Sequence, residues 1–103
     1  MREYDSNKAK GLCKLAIDED MTIYTIDALK QSLSEELDAY KRFELNLANV
    51  EEIDSAGIQL LLALSSELMQ KKKALKLTSM SGVVAKLIES YGISGRFNTG
   101  SVA

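Results

Sequence analysis

Asp54-Ser55-Ala56-Gly57 is the stretch where residue type and spacing point most directly to chemistry. Asp54 and Ser55 each carry a side-chain oxygen able to accept a hydrogen bond from a free amide at a helix start, so the ordinary reading is a cap. A serine hydroxyl at such a place can also accept a phosphoryl group. That group would sit at the positive end of the helix and add about −1.5 to −2 charges with three acceptor oxygens. Beside Asp54, and near Glu51 and Glu52, it would turn a neutral contact surface into a repelling one without a change of shape. Ala56 and Gly57 either leave Ser55 open to a kinase or a docked helix, or are small because the helix start passes close to a neighbouring strand. Ile58 and Leu61 are either core or apolar surface beside the serine. The candidate site is therefore Ser55 as phosphoacceptor, with Asp54, Ser55, Ala56, Gly57 and Ile58 as the partner-binding stretch.

Other chemistries find little to work with. The chain has no histidine and one cysteine, Cys13, so no catalytic triad can be assembled and no internal disulfide can form. Cys13 stands among Leu12, Leu15 and Ile17 and reads as a buried thiol. As a phosphoryl carrier it would need a glycine- or serine-rich cradle, and Lys14-Leu15-Ala16-Ile17 follows instead. No carboxylate cluster has calcium-loop spacing, so neither metal nor cofactor is expected. Thirteen basic against 15 acidic residues give a formal charge of −2, which offers no attraction for nucleic acid or anionic lipid. The longest apolar run, Leu60 to Leu64, is far short of the roughly 20 residues that span a bilayer, so direct membrane insertion is not expected and a cytoplasmic location is.

The elements that must position this site alternate between strand and helix. Leu12–Ile17 reads as a strand with Cys13, Leu15 and Ile17 on one face; Asp18-Glu19-Asp20 turns the chain, and Met21–Tyr24 is expected to return as a second strand of a hairpin. Thr25 is placed to cap a helix from Ile26 to about Tyr40 whose stripe is Ile26, Leu29, Leu33, Leu37 and Tyr40. Phe43, Leu45 and Leu47 alternate in the next strand. A second helix from Ser55 to about Lys71 is apolar on most faces, so it is either deeply buried or partly reserved for a partner. Lys71-Lys72-Lys73 suits its negative end. Ala74–Thr78 is a further strand, Ser79 or Ser81 opens a third helix with the stripe Val83, Val84, Leu87, Ile88 and Tyr91, and Gly92 ends it. The chain of 103 residues has no proline, repeat or linker, and reads as one α/β domain over 11–97, between a flexible segment 1–10 and a flexible tail 98–103.

The stretch from Phe43 to Leu61, centred on Ile53-Asp54-Ser55-Ala56-Gly57-Ile58, resembles the central segment of STAS domains, the family named for sulfate transporters and anti-sigma factor antagonists. Met21-Thr22-Ile23-Tyr24-Thr25 leading into Ile26-Asp27-Ala28-Leu29 is similar to that family's first strand-to-helix passage. The resemblance implies a small mixed β-sheet with helices packed chiefly on one side and no enzyme activity. It implies binding to an anti-sigma factor that is also a serine kinase, release on phosphorylation of Ser55, and restoration by a phosphatase. Many sporulation and stress-response members have a second serine where this chain has Ala56, and a glycine where it has Asp20-Met21, so the pathway is left open among sigma-factor control and chemotaxis-linked signalling. The alternative that the resemblance offers is a constitutive scaffold or cytoplasmic accessory subunit of a lipid-transport ABC complex, with the apolar second helix as its interface. Homodimerisation is open.

Overall fold

The computed structural model describes residues 1–99. Five strands, β1 (Arg2–Glu3), β2 (Leu12–Ala16), β3 (Arg42–Leu47), β4 (Ala74–Met80) and β5 (Asn98–Thr99), form one sheet in sequential order. β1 pairs antiparallel with β2 and every later pairing is parallel, which makes the sheet mixed. The parallel crossovers carry α1 (Ile26–Glu36), α2 (Ser55–Gln70) and α3 (Gly82–Ser90). Right-handed crossovers that all step in the same direction put their helices on one face. The α/β architecture expected from the sequence is the one observed.

Strand alternation separates the two faces. Leu15, Leu45 and Leu77 lie in register and are buried under the helices, as are Cys13 and Phe43. Between them Lys14, Glu44 and Lys76 form a cross-strand row of alternating charge on the opposite, uncovered face. The β3–β4 register slips after Leu45, and the Thr78 hydroxyl donates to the Leu45 carbonyl oxygen there at 3.2 Å.

The helices follow the same logic. Leu29, Leu33, Leu37 and Tyr40 are buried as the stripe required, but α1 ends at Glu36 rather than near Tyr40. Leu37 and Ala39 close three-residue turns on Ser34 and Glu36, because the next amides, Lys41 and Arg42, both donate to the Gly11 carbonyl oxygen and start β3. In α2, Ile58, Leu60, Leu61, Leu64 and Leu68 are all buried, which accounts for a helix apolar on most faces. Its C-terminal lysines, expected at the negative end of α2, instead tie it to the end of α1: Lys71 caps α2 through its backbone amide and its ammonium pairs with Asp38 at 3.1 Å, and the Lys73 ammonium donates to the Leu37 carbonyl oxygen. Ser81, rather than Ser79, caps α3 by accepting from the Val84 amide at 3.4 Å, and Gly92 takes φ +68° where the chain leaves it.

One expectation is corrected. The Met21–Tyr24 strand and its hairpin do not form: Met21 alone makes a parallel bridge, to Ile53, and Thr22–Tyr24 turn away. The antiparallel partner of β2 is instead β1, in the segment 1–10. Arg2 pairs with Asp18 at 2.7 Å, the Tyr40 hydroxyl donates to Glu3 at 2.8 Å, and a short 3-10 turn at Lys8–Lys10 is capped by Asn7. Of the expected tail, Asn98 and Thr99 pair with Lys76 and Leu77 of β4, and 100–103 lie outside the described residues.

Candidate functional site

In a parallel α/β sheet the carboxyl ends of the strands meet the amino ends of the helices. Here that edge gathers three connections, 17–25, 48–54 and 81, at the starts of α1, α2 and α3. Asp54 ties two of them together. Its backbone is extended (φ −123°, ψ −170°), and one carboxylate oxygen accepts from the amides of Ala56 at 2.9 Å and Gly57 at 3.4 Å. The other oxygen accepts from the amide of Ile23, 31 residues earlier, at 3.1 Å. Below it, the Met21 amide donates to the Glu52 carbonyl oxygen at 2.8 Å and the Asp54 amide to that of Met21 at 3.2 Å. Asp54 is thus the cap, and also the fastening of the 21–25 turn to the start of α2.

The turn is closed from within by Thr25. Its hydroxyl accepts from the Thr22 amide at 3.0 Å and donates to the Asp20 carbonyl oxygen at 2.6 Å. The sequence assigns Thr25 to capping α1, but its side chain caps no helical amide, because the turn occupies it. The result is a fixed projection bearing Ile23 and Tyr24, which are 68% and 94% exposed. Val83 at the start of α3, 40% exposed, faces Tyr24 across a cleft of about 490 Å³ that also takes in Asp20, Glu51 and Glu52. A longer open groove continues from Val83 along Lys86, Leu87 and Ser90 of α3.

The five residues of the expected stretch separate into two groups. Ser55, the first residue of α2, is exposed with its hydroxyl outside the cap; Asp54 and Ala56 are half-buried. Gly57 and Ile58 are buried, so neither belongs to an exposed contact surface. A Cβ on Gly57 would stand 2.4 Å from the Met21 carbonyl oxygen and 2.7 Å from Ile53 Cγ1, so glycine is there for the close approach of helix and strap. Ile58 is core. Sequence reasoning missed Ile23, Tyr24 and Val83 as surface residues, the first two because they were assigned to a strand and the third because it fits the stripe of α3.

Outside this edge, Glu3, Cys13 and Glu36 bring potential ligand atoms within 4.8 Å of one another, a grouping that sequence spacing did not reveal. Burial pushes the Cys13 thiol up to about 11, and Glu3 already accepts from Tyr40. A protonated, buried thiol is a poor phosphoryl carrier. Among the described residues no helix is long and apolar enough to cross a membrane.

The family profile described as "Mlab, STAS domain" matches residues 6–99. The chain belongs to the STAS domain family. Two solved structures share the fold of this STAS domain. One is the anti-sigma factor antagonist SpoIIAA in its unphosphorylated form, 13% identical over 99% of this chain and 88% of that one, with a TM-score of 0.72. The other is the Bacillus cell fate determinant SpoIIAA in the phosphorylated form, 14% identical over 97% of this chain and 90% of that one, with a TM-score of 0.70. Comparison with curated protein sequences finds no match. As a STAS domain the chain is a regulatory, non-catalytic module with an anti-sigma factor antagonist-like fold.

Proposed function

We propose that this STAS domain is a phosphorylatable antagonist in bacterial cytoplasmic signalling: with Ser55 unmodified it binds an anti-sigma factor/serine kinase or a related signalling partner, and phosphorylation of Ser55 releases that partner. The observation that carries the reading is the division of labour at the start of α2. Asp54 satisfies the helix amides, which leaves the Ser55 hydroxyl exposed and unneeded for the cap. A phosphoryl group there leaves the fold's own hydrogen bonds in place and changes only the surface: a hydrated dianion must be desolvated under the partner, beside Asp54. A phosphatase would reverse the change.

The accessory-subunit alternative is offered by the same family resemblance; the apolar α2 residues assigned to its interface are core, so such an interface would lie elsewhere. Purification of the chain and its Ser55→Ala variant from the native cell, with phosphosite mapping, identifies the partner. Binding of that partner is then measured with Ser55→Asp. The expected result is at least a tenfold loss, about 1.4 kcal/mol. Unchanged affinity of a folded Ser55→Asp protein would falsify the switch.

A further inference from the structure

Among the described residues the exposed large apolar side chains are Ile23, Tyr24, Met69, Val83 and Tyr91, and three of these, Ile23, Tyr24 and Val83, stand at the edge that carries Ser55. Tyr24 and Val83 are two walls of one cleft. The turn that carries Ile23 and Tyr24 is fastened through its backbone: the Ile23 amide donates to Asp54, and the Thr25 hydroxyl closes the turn. A backbone that is already fixed has less freedom to lose on binding, which favours the apolar and aromatic side chains it carries as anchors.

The charge around them is one-sided. Asp20, Glu51, Glu52 and Asp54 line the cleft and no lysine or arginine does; Lys86 lines the adjoining groove. Asp54 is committed to three backbone amides, while Glu51 and Glu52 are exposed. An aromatic face beside free carboxylates suits a cation that carries apolar stem atoms, through cation–π and ionic contact together. We propose that the Tyr24–Val83 cleft, with Ile23 at its rim, is the docking site for a protein segment that sets an arginine or lysine beside an apolar anchor. The proposal rests on the reading of the Ser55 edge as a partner-binding surface, and adds the chemistry of the partner.

The charge pattern also argues against other occupants. A two-fold contact with a second copy would set this acidic rim against itself, and an anionic membrane would meet the same repulsion. Ser55 does not line the cleft. A phosphoryl group on Ser55 would add attraction for a cation in the cleft, so release by phosphorylation requires that the partner surface lying over Ser55 itself be apolar or acidic.

The probe is a displayed library of random 16-residue peptides selected on the full chain. Enriched peptides are expected to combine arginine or lysine with an aromatic or aliphatic residue, and to weaken as salt rises. They are expected to bind roughly tenfold or more weakly to Tyr24→Ala and to Glu51→Lys/Glu52→Lys, and to shift the amide resonances of residues 22–25, 51–55 and 83. Thermal melts of both variants verify that they are folded. No enrichment, enrichment of acidic or uncharged peptides, full affinity for both variants, or shifts on another face would overturn the proposal. So would a wild-type dimer that Tyr24→Ala dissolves. Ser55→Asp is measured in parallel: if it leaves peptide affinity unchanged or raises it while Tyr24→Ala lowers it, the switch fails and the docking site stands; the reverse pattern separates them the other way.

Discussion

Replacing Gly57 with alanine sets two physical effects against each other, with opposite signs. Gly57 lies in the first turn of α2, where alanine gains about 1 kcal/mol of helix propensity. Against this, the new Cβ would meet the Met21 carbonyl oxygen at 2.4 Å and Ile53 Cγ1 at 2.7 Å, and the oxygen is backbone that cannot rotate away. Relief requires the strap at Met21 to lift from the helix. That strap holds the Met21–Glu52 and Asp54–Met21 backbone bonds and leads directly to the Ile23–Asp54 bond. Overpacking of this kind costs about 1–3 kcal/mol, and each weakened hydrogen bond about 0.5–1.5. The clash wins by about 1–3 kcal/mol, which for a domain of this size lowers Tm by on the order of 10 °C. Thermal and urea unfolding of the wild type and Gly57→Ala test this, with hydrogen exchange of the Ile23 amide as a local readout. A melting point equal to or above that of the wild type would mean that propensity governs the position, and the close approach would be refuted.

Asp54→Ala removes the cap and the fastening of the turn together; it is expected to cost about 0.5–2 kcal/mol for the cap alone and to speed exchange at Ile23 as well as Ala56, whereas loss of protection at Ala56 alone would show that the turn does not depend on it. The Cys13 thiol, held near 11 by burial, should resist a disulfide reagent at pH 8 in the native protein and react fully in denaturant; rapid native labelling contradicts the burial. Hydrogen bonding to Glu3, followed by burial and the Glu3 charge, holds the Tyr40 phenol up to about 12 against an ordinary 10, so its neutral form is favoured by folding. That contribution is complete below pH 10 and is lost as pH rises toward 12; an absorbance titration should show a late phenol transition that Tyr40→Phe removes. At the acid end the Asp18 carboxyl lies below its ordinary value because Asn49 and then Arg2 donate to it. Its contribution is present above the unfolded pKa and disappears as pH falls through the folded one, so Asp18→Asn should flatten the acid limb of a Tm–pH profile.

Much of this fold is legible because the patterns have strong periods. Phe43, Leu45 and Leu47 alternate around Glu44 and Asn46, and the α1 stripe lands on buried residues almost without exception. β1 is not legible, since Arg2 and Glu3 are exposed polar residues whose place is fixed by pairing with Leu15 and Ala16 rather than by burial of their own. Met21–Tyr24 misleads for the opposite reason. Threonine, isoleucine and tyrosine have the composition of a strand, and what overrides it is the Thr25 hydroxyl closing a turn and the Asp54 carboxylate 31 residues away. At the site, residue type alone marks Asp54 and Ser55 as cap candidates without choosing between them. The burial of Gly57 and Ile58 is not legible, because it depends on how near Met21 and Ile53 pass. The second oxygen of Asp54 leaves no local signature at all.

That second oxygen has a consequence for how such proteins diverge. A carboxylate that splints two segments is under architectural selection whatever happens to the neighbouring hydroxyl, so a relative with another residue at position 55 is expected to keep the aspartate at 54. An aspartate at that place therefore reports a fastened turn, and by itself says nothing of how the residue after it is used.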